Sequence, residues 1–178
     1  MQIEFVVFGD VTPDLAQSMA AKTAGVLGAP CSVNSQPLAV PDDAYHPQRG
    51  QYEASVLLGA LRRGTTSQTA YVLGIADVDL FARGLNFVFG QAELGGNAAV
   101  MSLTRLRPEF WGQTPDYALF LERAVKEAVH ELGHAIGLRH CPNPVCVMHF
   151  SNSLADTDRK GQRFCDRYAA RVWRQPLV

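Results

Sequence analysis

The sequence predicts an α+β fold in which a twisted mixed β-sheet packs against helices, and three observations indicate it. Apolar strand-like runs alternate with amphipathic helical segments through the first 103 of the 178 residues. One long helix, with core-facing residues at helical spacing, is then expected over residues 115–136. Beyond residue 141 the chain reads as a loop followed by a final helix over residues 157–174, which predicts a small C-terminal lobe across a cleft.

The first elements are a strand, a helix and a second strand. Residues 2–8 form an apolar, β-rich run. Thr12 followed by Pro13 supplies an N-cap and a proline at the first helical position, so a helix is expected to extend to about residue 25. Residues 31–35 are expected to form the second strand.

A proline-rich segment precedes the next helix. The stretch from Pro37 to Gly50 contains three prolines and predicts a loop. Gln51 to Arg63 has apolar residues at helical spacing and predicts an amphipathic helix.

The middle of the chain predicts three further strands. A short buried strand is expected over 71–75, and a strand over 87–92 is followed by a turn. Residues 98–103 are expected to return antiparallel, as an edge strand of the sheet. Asp77 and Asp79 lie in a loop between these strands, where carboxylates either bind calcium or cap local amides, and the sequence favours the second reading.

Residues 130–140 read His-Glu-x-x-His-x-x-Gly-x-x-His and carry the strongest chemical signal of the chain. On a helix, His130 and His134 lie one turn apart on the same face and can bind one metal ion. Gly137 lets the chain leave the helix in a left-handed conformation, and the turn brings His140 back to the metal. Three imidazoles leave a fourth coordination position open, which is typical of a catalytic zinc rather than a structural one.

Glu131 lies beside these ligands without being placed to act as one. A carboxylate at this position reaches a zinc-bound water and predicts a general base. The motif therefore predicts zinc-dependent hydrolysis, with one catalytic zinc.

The run HELGHAIGLRHCPNPVCVMHFSNSL, from His130 onwards, resembles the archaemetzincin family of zinc metalloproteases, which belongs to the metzincin clan. A weaker similarity extends through Arg49, Gln51-Tyr52 and the segment 86–90. The resemblance implies a metzincin-like fold, with one catalytic domain and an active-site helix. It also implies that the strand over 98–103 takes an extended peptide substrate as an added strand.

The same resemblance implies how the domain is divided. Residues 1–137 are expected to form an N-terminal lobe that contains the sheet and the active-site helix. Residues 138–178 are expected to form the small C-terminal lobe, in which Met148 belongs to a Met-turn beneath the metal.

Three cysteines follow the histidines. The resemblance implies a structural zinc site of four thiolates, and Cys141, Cys146 and Cys165 are three of them. Tyr168 stands where the fourth cysteine is expected, so a second zinc is left open. The alternatives are a fourth ligand, an empty site, or a disulfide between two of the three; the candidate fourth ligands are Asp166, His149, Cys31 or a water.

A peptidase is the function that these residues favour, and two alternatives are weighed against it. A zinc-dependent peptide-binding module with little turnover needs no base, and Glu131 argues against it. A structural metalloprotein whose zinc ties two lobes together would leave no open coordination position.

Composition bounds the partners and the setting. With a net charge of -1, the chain gives no sign of binding nucleic acid or an anionic membrane. It has no apolar run long enough to span a membrane, and its N-terminus reads as a strand rather than a signal peptide. Clustered cysteines beside a metal motif favour reduced thiols in the cytoplasm. A monomer that acts on peptide or protein substrates is expected.

Overall fold

The computed structural model describes residues 1–65 and 70–172, which contain eight β-strands and five α-helices. The strands are β1 (Ile3–Phe8), β2 (Cys31–Val33), β3 (Tyr45–His46), β4 (Gln51–Glu53), β5 (Tyr71–Ala76), β6 (Leu80–Phe81), β7 (Gly90–Ala92) and β8 (Ala98–Ser102). The helices are α1 (Pro13–Leu27), α2 (Ala54–Gly64), α3 (Tyr117–Ala135), α4 (Leu154–Arg159) and α5 (Asp166–Val172). Short 3-10 helices lie at Asp42–Ala44, Thr104–Leu106 and Pro108–Trp111.

Five strands form the main sheet, in the order β2-β1-β5-β8-β7. The first four run parallel, and β7 pairs antiparallel with β8. A second sheet has the order β3-β4-β6. This mixed sheet with its packed helices confirms the α+β prediction.

Strand β1 shows how the main sheet supports two apolar layers, because successive side chains of a strand point to opposite faces. Ile3, Phe5 and Val7 belong to the core cluster that contains the buried residues of α1 and α3. Val6 and Phe8 belong to the cluster that contains those of α2. The sheet therefore lies between α2 on one face and the pair α1 and α3 on the other.

The long helix α3 confirms the prediction over 115–136. Its N-cap is Asp116, whose carboxylate accepts a hydrogen bond of 2.9 Å from the Leu119 amide. Fourteen of its nineteen residues are buried, so the helix runs through the core rather than along the surface. Across residues 1–65 and 70–172, each helix is too short or too polar to span a lipid bilayer.

Three of the predictions are wrong near the second sheet. The helix expected from Gln51 begins only at Ala54, because residues 51–53 form β4 between β3 and β6. The loop expected over 37–50 contains a 3-10 helix and β3. The strand expected over 87–92 is shortened to β7, because Val88 pairs with Leu80 of the second sheet.

The final helix predicted over 157–174 is also wrong, since α4 and α5 are separate. Between them the chain pairs with the preceding loop instead: the Gly161 amide donates to the Val145 carbonyl at 3.0 Å, and the Val147 amide donates to the Arg163 carbonyl at 3.0 Å. The last two residues of that prediction lie outside the described residues.

The largest correction concerns the strand over 98–103. It was expected at the edge of the sheet, but β8 pairs with β5 on one side and with β7 on the other. All five of its residues are buried. With both sides paired, β8 has no free backbone edge for a peptide, and β7 is the edge strand on this side of the described sheet.

Candidate active site

The histidine triad, His130, His134 and His140, converges on one point. The Nε2 atom of His134 lies 3.1 Å from Nε2 of His130 and 3.2 Å from Nε2 of His140. Zinc–nitrogen bonds of about 2.0–2.1 Å in a tetrahedral site place ligand nitrogens roughly 3.3 Å apart. The spacing of the three nitrogens therefore fits a single zinc ion.

Backbone carbonyls orient two of these rings. The Nδ1 atom of His130 lies 2.8 Å from the Val147 carbonyl oxygen, and Nδ1 of His134 lies 2.7 Å from that of Leu138. A carbonyl only accepts, so Nδ1 carries the proton and donates in each case. The lone pair of each ring is then on Nε2, which faces the other histidines.

The histidines are held neutral, which is the form that binds metal. Burial, with the nearby Lys160 cation, lowers the pKa of His130 well below its usual value. Burial also lowers the pKa of His134. For His140, burial and the neighbouring His134 lower the pKa to about 4.

Glu131 lines the cleft beside the triad and is only 5% exposed. Its Oε2 atom is buried without a hydrogen-bond partner. Burial raises the pKa of this carboxyl well above its usual value, and the charge of Glu127 raises it further. A buried polar atom without a partner, in the cleft that the three histidines also line, is the kind of group that pairs with a bound water or ion.

Gly90 is the point at which the edge strand passes over Glu131. A Cβ atom here would lie 2.6 Å from Cγ of Glu131 and 2.7 Å from its Cδ and Oε1. Any side chain would therefore displace the carboxylate. Gly90 belongs to no chemical motif of the sequence, although a glycine within a strand is a signal of close backbone approach.

The chain turns after α3 as the motif predicts. Gly137 has a φ of +105°, a conformation that L side chains rarely adopt. The turn between β7 and β8 packs on this end of the helix, where the Gly95 amide donates to the His134 carbonyl at 3.0 Å. The hairpin that provides the edge strand is thus fixed to the helix that provides two histidines.

Met148 is fully buried beneath the same helix. Its sulfur lies where a side chain at Gly133, the residue before His134, would otherwise project. The Met148 carbonyl also accepts a hydrogen bond of 2.8 Å from the Cys141 amide, which closes the loop after the third histidine.

The site opens into a cleft of about 790 Å³. Phe150 forms part of its wall, with its ring 4.7 Å from that of His140. The other lining residues come mainly from the segment that leads into β7, from the start of α2 and from α3; they are Glu53, Ser55, Ala82, Arg83, Leu85, Asn86, Phe87, Val88, Phe89, Gly90, Gln91, Ala92, Glu127, His130, Glu131, His134, His140, Ser151 and Asn152.

The cysteine triad, Cys141, Cys146 and Cys165, forms a second cluster. Its three sulfur atoms lie within 4.8 Å of one another. The sulfurs of Cys141 and Cys165 are 3.8 Å apart, much longer than a disulfide bond of about 2.05 Å, and all three thiols are free. Burial raises the pKa of Cys146 to about 11.

The cysteine triad has no fourth protein ligand among the described residues. Asp166, His149 and Cys31 are not in the group of donor atoms within 4.8 Å of one another. Tyr168, at the position of the expected fourth cysteine, is buried, and its hydroxyl donates to the His140 carbonyl at 3.1 Å. That hydroxyl is therefore directed to the backbone of the third histidine.

Asp77 and Asp79 are paired with arginines. Asp79 accepts two hydrogen bonds from Arg105, of 2.6 and 2.8 Å, and Asp77 accepts one of 2.6 Å from Arg107. The predicted capping of local amides is therefore replaced by ion pairs with arginine side chains.

A buried ionic cluster behind His130 was missed by sequence analysis. The Lys160 ammonium, which is 1% exposed, lies 2.9 Å from Oε1 of Glu127 and 3.5 Å from Nδ1 of His130. Thr157 donates to the same carboxylate oxygen at 3.1 Å. The pair joins residues 33 positions apart, from α3 and from the end of α4, so no local pattern could have identified it.

Comparisons with known proteins find relatives over most of the chain. The model of peptidase family M54 matches residues 33–174. An archaemetzincin from Methanocaldococcus jannaschii is 42% identical over 167 residues, which cover 94% of this chain and 90% of that protein.

Two solved structures of archaemetzincins have the same fold as this chain. The crystal structure of an archaemetzincin from Methanopyrus kandleri superposes with a TM-score of 0.85 at 42% identity, covering 98% of this chain and 94% of that one. The archaemetzincin from Archaeoglobus fulgidus, solved in complex with malonate, has a TM-score of 0.81 at 38% identity and covers 96% and 99%.

Proposed function

Because this chain belongs to peptidase family M54, the family of the archaemetzincins, it is a zinc-dependent peptidase, and we propose that His130, His134 and His140 bind its catalytic zinc. The observation that carries the proposal is the approach of the three Nε2 atoms, two pairs of which are 3.1 and 3.2 Å apart. The triad faces an open cleft, which leaves room for a substrate at the fourth coordination position.

Glu131 is the proposed general base. When bound, zinc supplies Lewis acidity, which lowers the pKa of a water to about 7 and polarises the scissile carbonyl. The carboxylate of Glu131 accepts the proton of the attacking water and then delivers it to the leaving amine. Its unpaired Oε2 atom supports this role, since no other protein group among the described residues competes for it.

The outer edge of β7 is the proposed path of the peptide. Gly90, Gln91 and Ala92 line the cleft, and the inner edge of this strand is already paired with β8. An extended peptide added to the outer edge would pass Glu131 at Gly90, where the strand leaves no room for a Cβ beside the carboxylate. Met148 is the proposed apolar floor of a Met-turn, supported by its burial against Gly133.

A peptide-binding module without turnover is the less favoured alternative. Such a protein would gain nothing from a buried carboxylate without a partner beside its metal, because that burial is costly and binds no peptide. The family of peptidases to which the chain belongs also argues for turnover.

One zinc per chain is the proposed stoichiometry. A closed structural zinc site takes four ligands, and the cysteine triad supplies three. The Tyr168 hydroxyl is occupied by the His140 carbonyl and does not complete the site. The three thiols are therefore proposed to remain reduced and metal-free.

The remaining proposals concern architecture and setting. We propose that residues 1–137 and 138–178 act as two lobes of one catalytic domain, with the cleft between them. Free thiols close together at Cys141 and Cys165 support a reducing compartment, the cytoplasm, and the protein is proposed to act there as a monomer.

Replacement of the base tests the proposed function. In Glu131→Gln, hydrolysis of a peptide library should fall on the order of 10²-fold or more while bound zinc is retained, because the proton acceptor is lost but the ligands remain. The matched control is Glu109→Gln, a change at an exposed glutamate, which should hydrolyse the library like the wild type. Equal turnover by Glu131→Gln and the wild type would refute the assignment.

A further inference from the structure

Two exposed aromatic rings lie close to the cleft without a role in the proposed chemistry. Phe110 and Trp111 are each 43% exposed, although large apolar side chains are usually buried. Their rings pack edge to face, with centroids 5.2 Å apart. Rigid aromatic rings left in contact with water are typical of binding surfaces.

Arg105 connects these rings to the wall of the cleft. Its guanidinium carbon lies 4.3 Å from the ring centre of Phe87, which lines the cleft, and 4.8 Å from that of Phe110. Trp111 is slightly further away, at 5.9 Å. We call Phe87, Phe110, Trp111 and the central Arg105 the aromatic shelf.

The aromatic shelf is fixed before any ligand binds. The Trp111 indole donates a hydrogen bond of 2.8 Å to the Arg105 carbonyl. The guanidinium of Arg105 is held by two hydrogen bonds to Asp79, of 2.6 and 2.8 Å. Rings held in this way lose little conformational freedom when they bind a partner.

The charge of the shelf indicates what it binds. Asp79 offsets the charge of Arg105, so the rings of Phe110 and Trp111 pack against an ion pair rather than a free cation. A neutral apolar surface favours an apolar side chain over a charged or a small polar one.

Continuity with the cleft indicates where that side chain comes from. Phe87 precedes Gly90, the residue over Glu131, by three positions. Three residues span at most roughly 10 Å, at about 3.3–3.6 Å per residue, so Phe87 lies no further than this from Gly90. A peptide that lies along β7 and continues past Gly90 would therefore reach Phe87 within about three residues of the scissile bond.

We propose that the aromatic shelf is a specificity site that binds an apolar side chain of the substrate about three residues from the scissile bond. The proposal rests on the proposed function, since it takes the cleft as the site of peptide hydrolysis. Phe110 and Trp111 would then bury their exposed faces against the substrate.

Matched peptides test the shelf. Within each of two pairs, the peptides share the same cleaved core and differ only in Leu or Ser at the third residue from the scissile bond. One pair carries this residue on the N-terminal side of the bond, and the other pair carries it on the C-terminal side. For one pair, the wild type should show a kcat/KM about tenfold higher with Leu, the size expected for a partly open apolar contact. In Phe110→Ala and Trp111→Ala this Leu-to-Ser ratio should fall towards one.

Tyr117→Ala provides the matched control. Tyr117 is 59% exposed and its ring packs with Phe120, not with Arg105, so this variant should keep both wild-type activity and the Leu-to-Ser ratio. Binding of the same peptides to Glu131→Gln should give the same preference and lose it when Trp111→Ala is added. A wild-type ratio near one for both pairs, or a ratio unchanged by both shelf variants, overturns the proposal. Loss of hydrolysis of every peptide by the wild type would instead contradict the proposed function.

Discussion

The histidine triad and the cysteine triad are neighbours in the chain, but they differ in how completely they are built. The histidines have converging nitrogens, backbone carbonyls that fix two rings, and an unpaired carboxylate beside them. The cysteines have converging sulfurs and no fourth protein ligand among the described residues. The two triads therefore share convergent donor atoms and differ in the ligand count and the surrounding groups, which decide what a metal site can hold.

The difference extends to how each triad is supported. His130 is backed by Lys160 and Glu127, a buried ion pair between α3 and the end of α4. Cys165 lies at the start of the short helix α5, which is tied to the histidine triad through the hydroxyl of Tyr168. The Lys160–Glu127 pair that supports the histidine triad is ionic and buried, so its loss should have the largest effect on the stability of the fold.

Removal of the buried cation should have the largest effect on stability. Lys160→Met leaves Glu127 without its ionic partner, and breaking a buried pair in this way costs about 3–5 kcal/mol. Denaturant unfolding of the zinc-loaded protein measures the change. Lys22→Met, at an exposed lysine, is the control and should shift stability by less than about 0.5 kcal/mol. Equal stabilities of the two variants would show that the ion pair contributes nothing.

A fourth thiol should allow the cysteine triad to bind zinc, as the histidine triad is proposed to do. Tyr168→Cys places a cysteine three residues after Cys165 and should bind a second zinc, which Tyr168→Ser should not. With free zinc at 100 times its dissociation constant, binding adds about 2.7 kcal/mol to the stability of the folded state. Zinc analysis and unfolding with and without added zinc measure both effects. A Tyr168→Cys protein with the same zinc content as Tyr168→Ser would contradict the account of the cysteine triad.

A smaller effect is expected at the edge strand. Gly90→Ala pushes a methyl group against the Glu131 carboxylate and should lower kcat by about tenfold, or about 1.4 kcal/mol in the barrier, with zinc retained. Gly25→Ala in α1 is the control, because a Cβ there has no neighbour within 4 Å. If Gly90→Ala kept full kcat, the strand would not fix the position of the base.

Sequence patterns predicted the features that depend on neighbouring residues, and they missed those that depend on contacts between distant parts of the chain. The spacing of His130, His134 and His140 and the positive φ of Gly137 are encoded within eleven residues, and the structure has both. The position of β8 inside the sheet depends on strand order, which alternation of apolar residues does not specify. For the same reason the contact of Gly90 with Glu131, 41 residues apart, is visible only in the folded chain.

The zinc content of three proteins purified under reducing conditions tests the comparison most directly. The wild type and Cys146→Ala should each contain one zinc per chain, and His134→Ala, with two protein ligands left, should contain almost none. Elemental analysis against protein concentration gives the ratio. Two zincs per chain in the wild type, one of them lost in Cys146→Ala, would contradict the account, as would a full zinc content in His134→Ala.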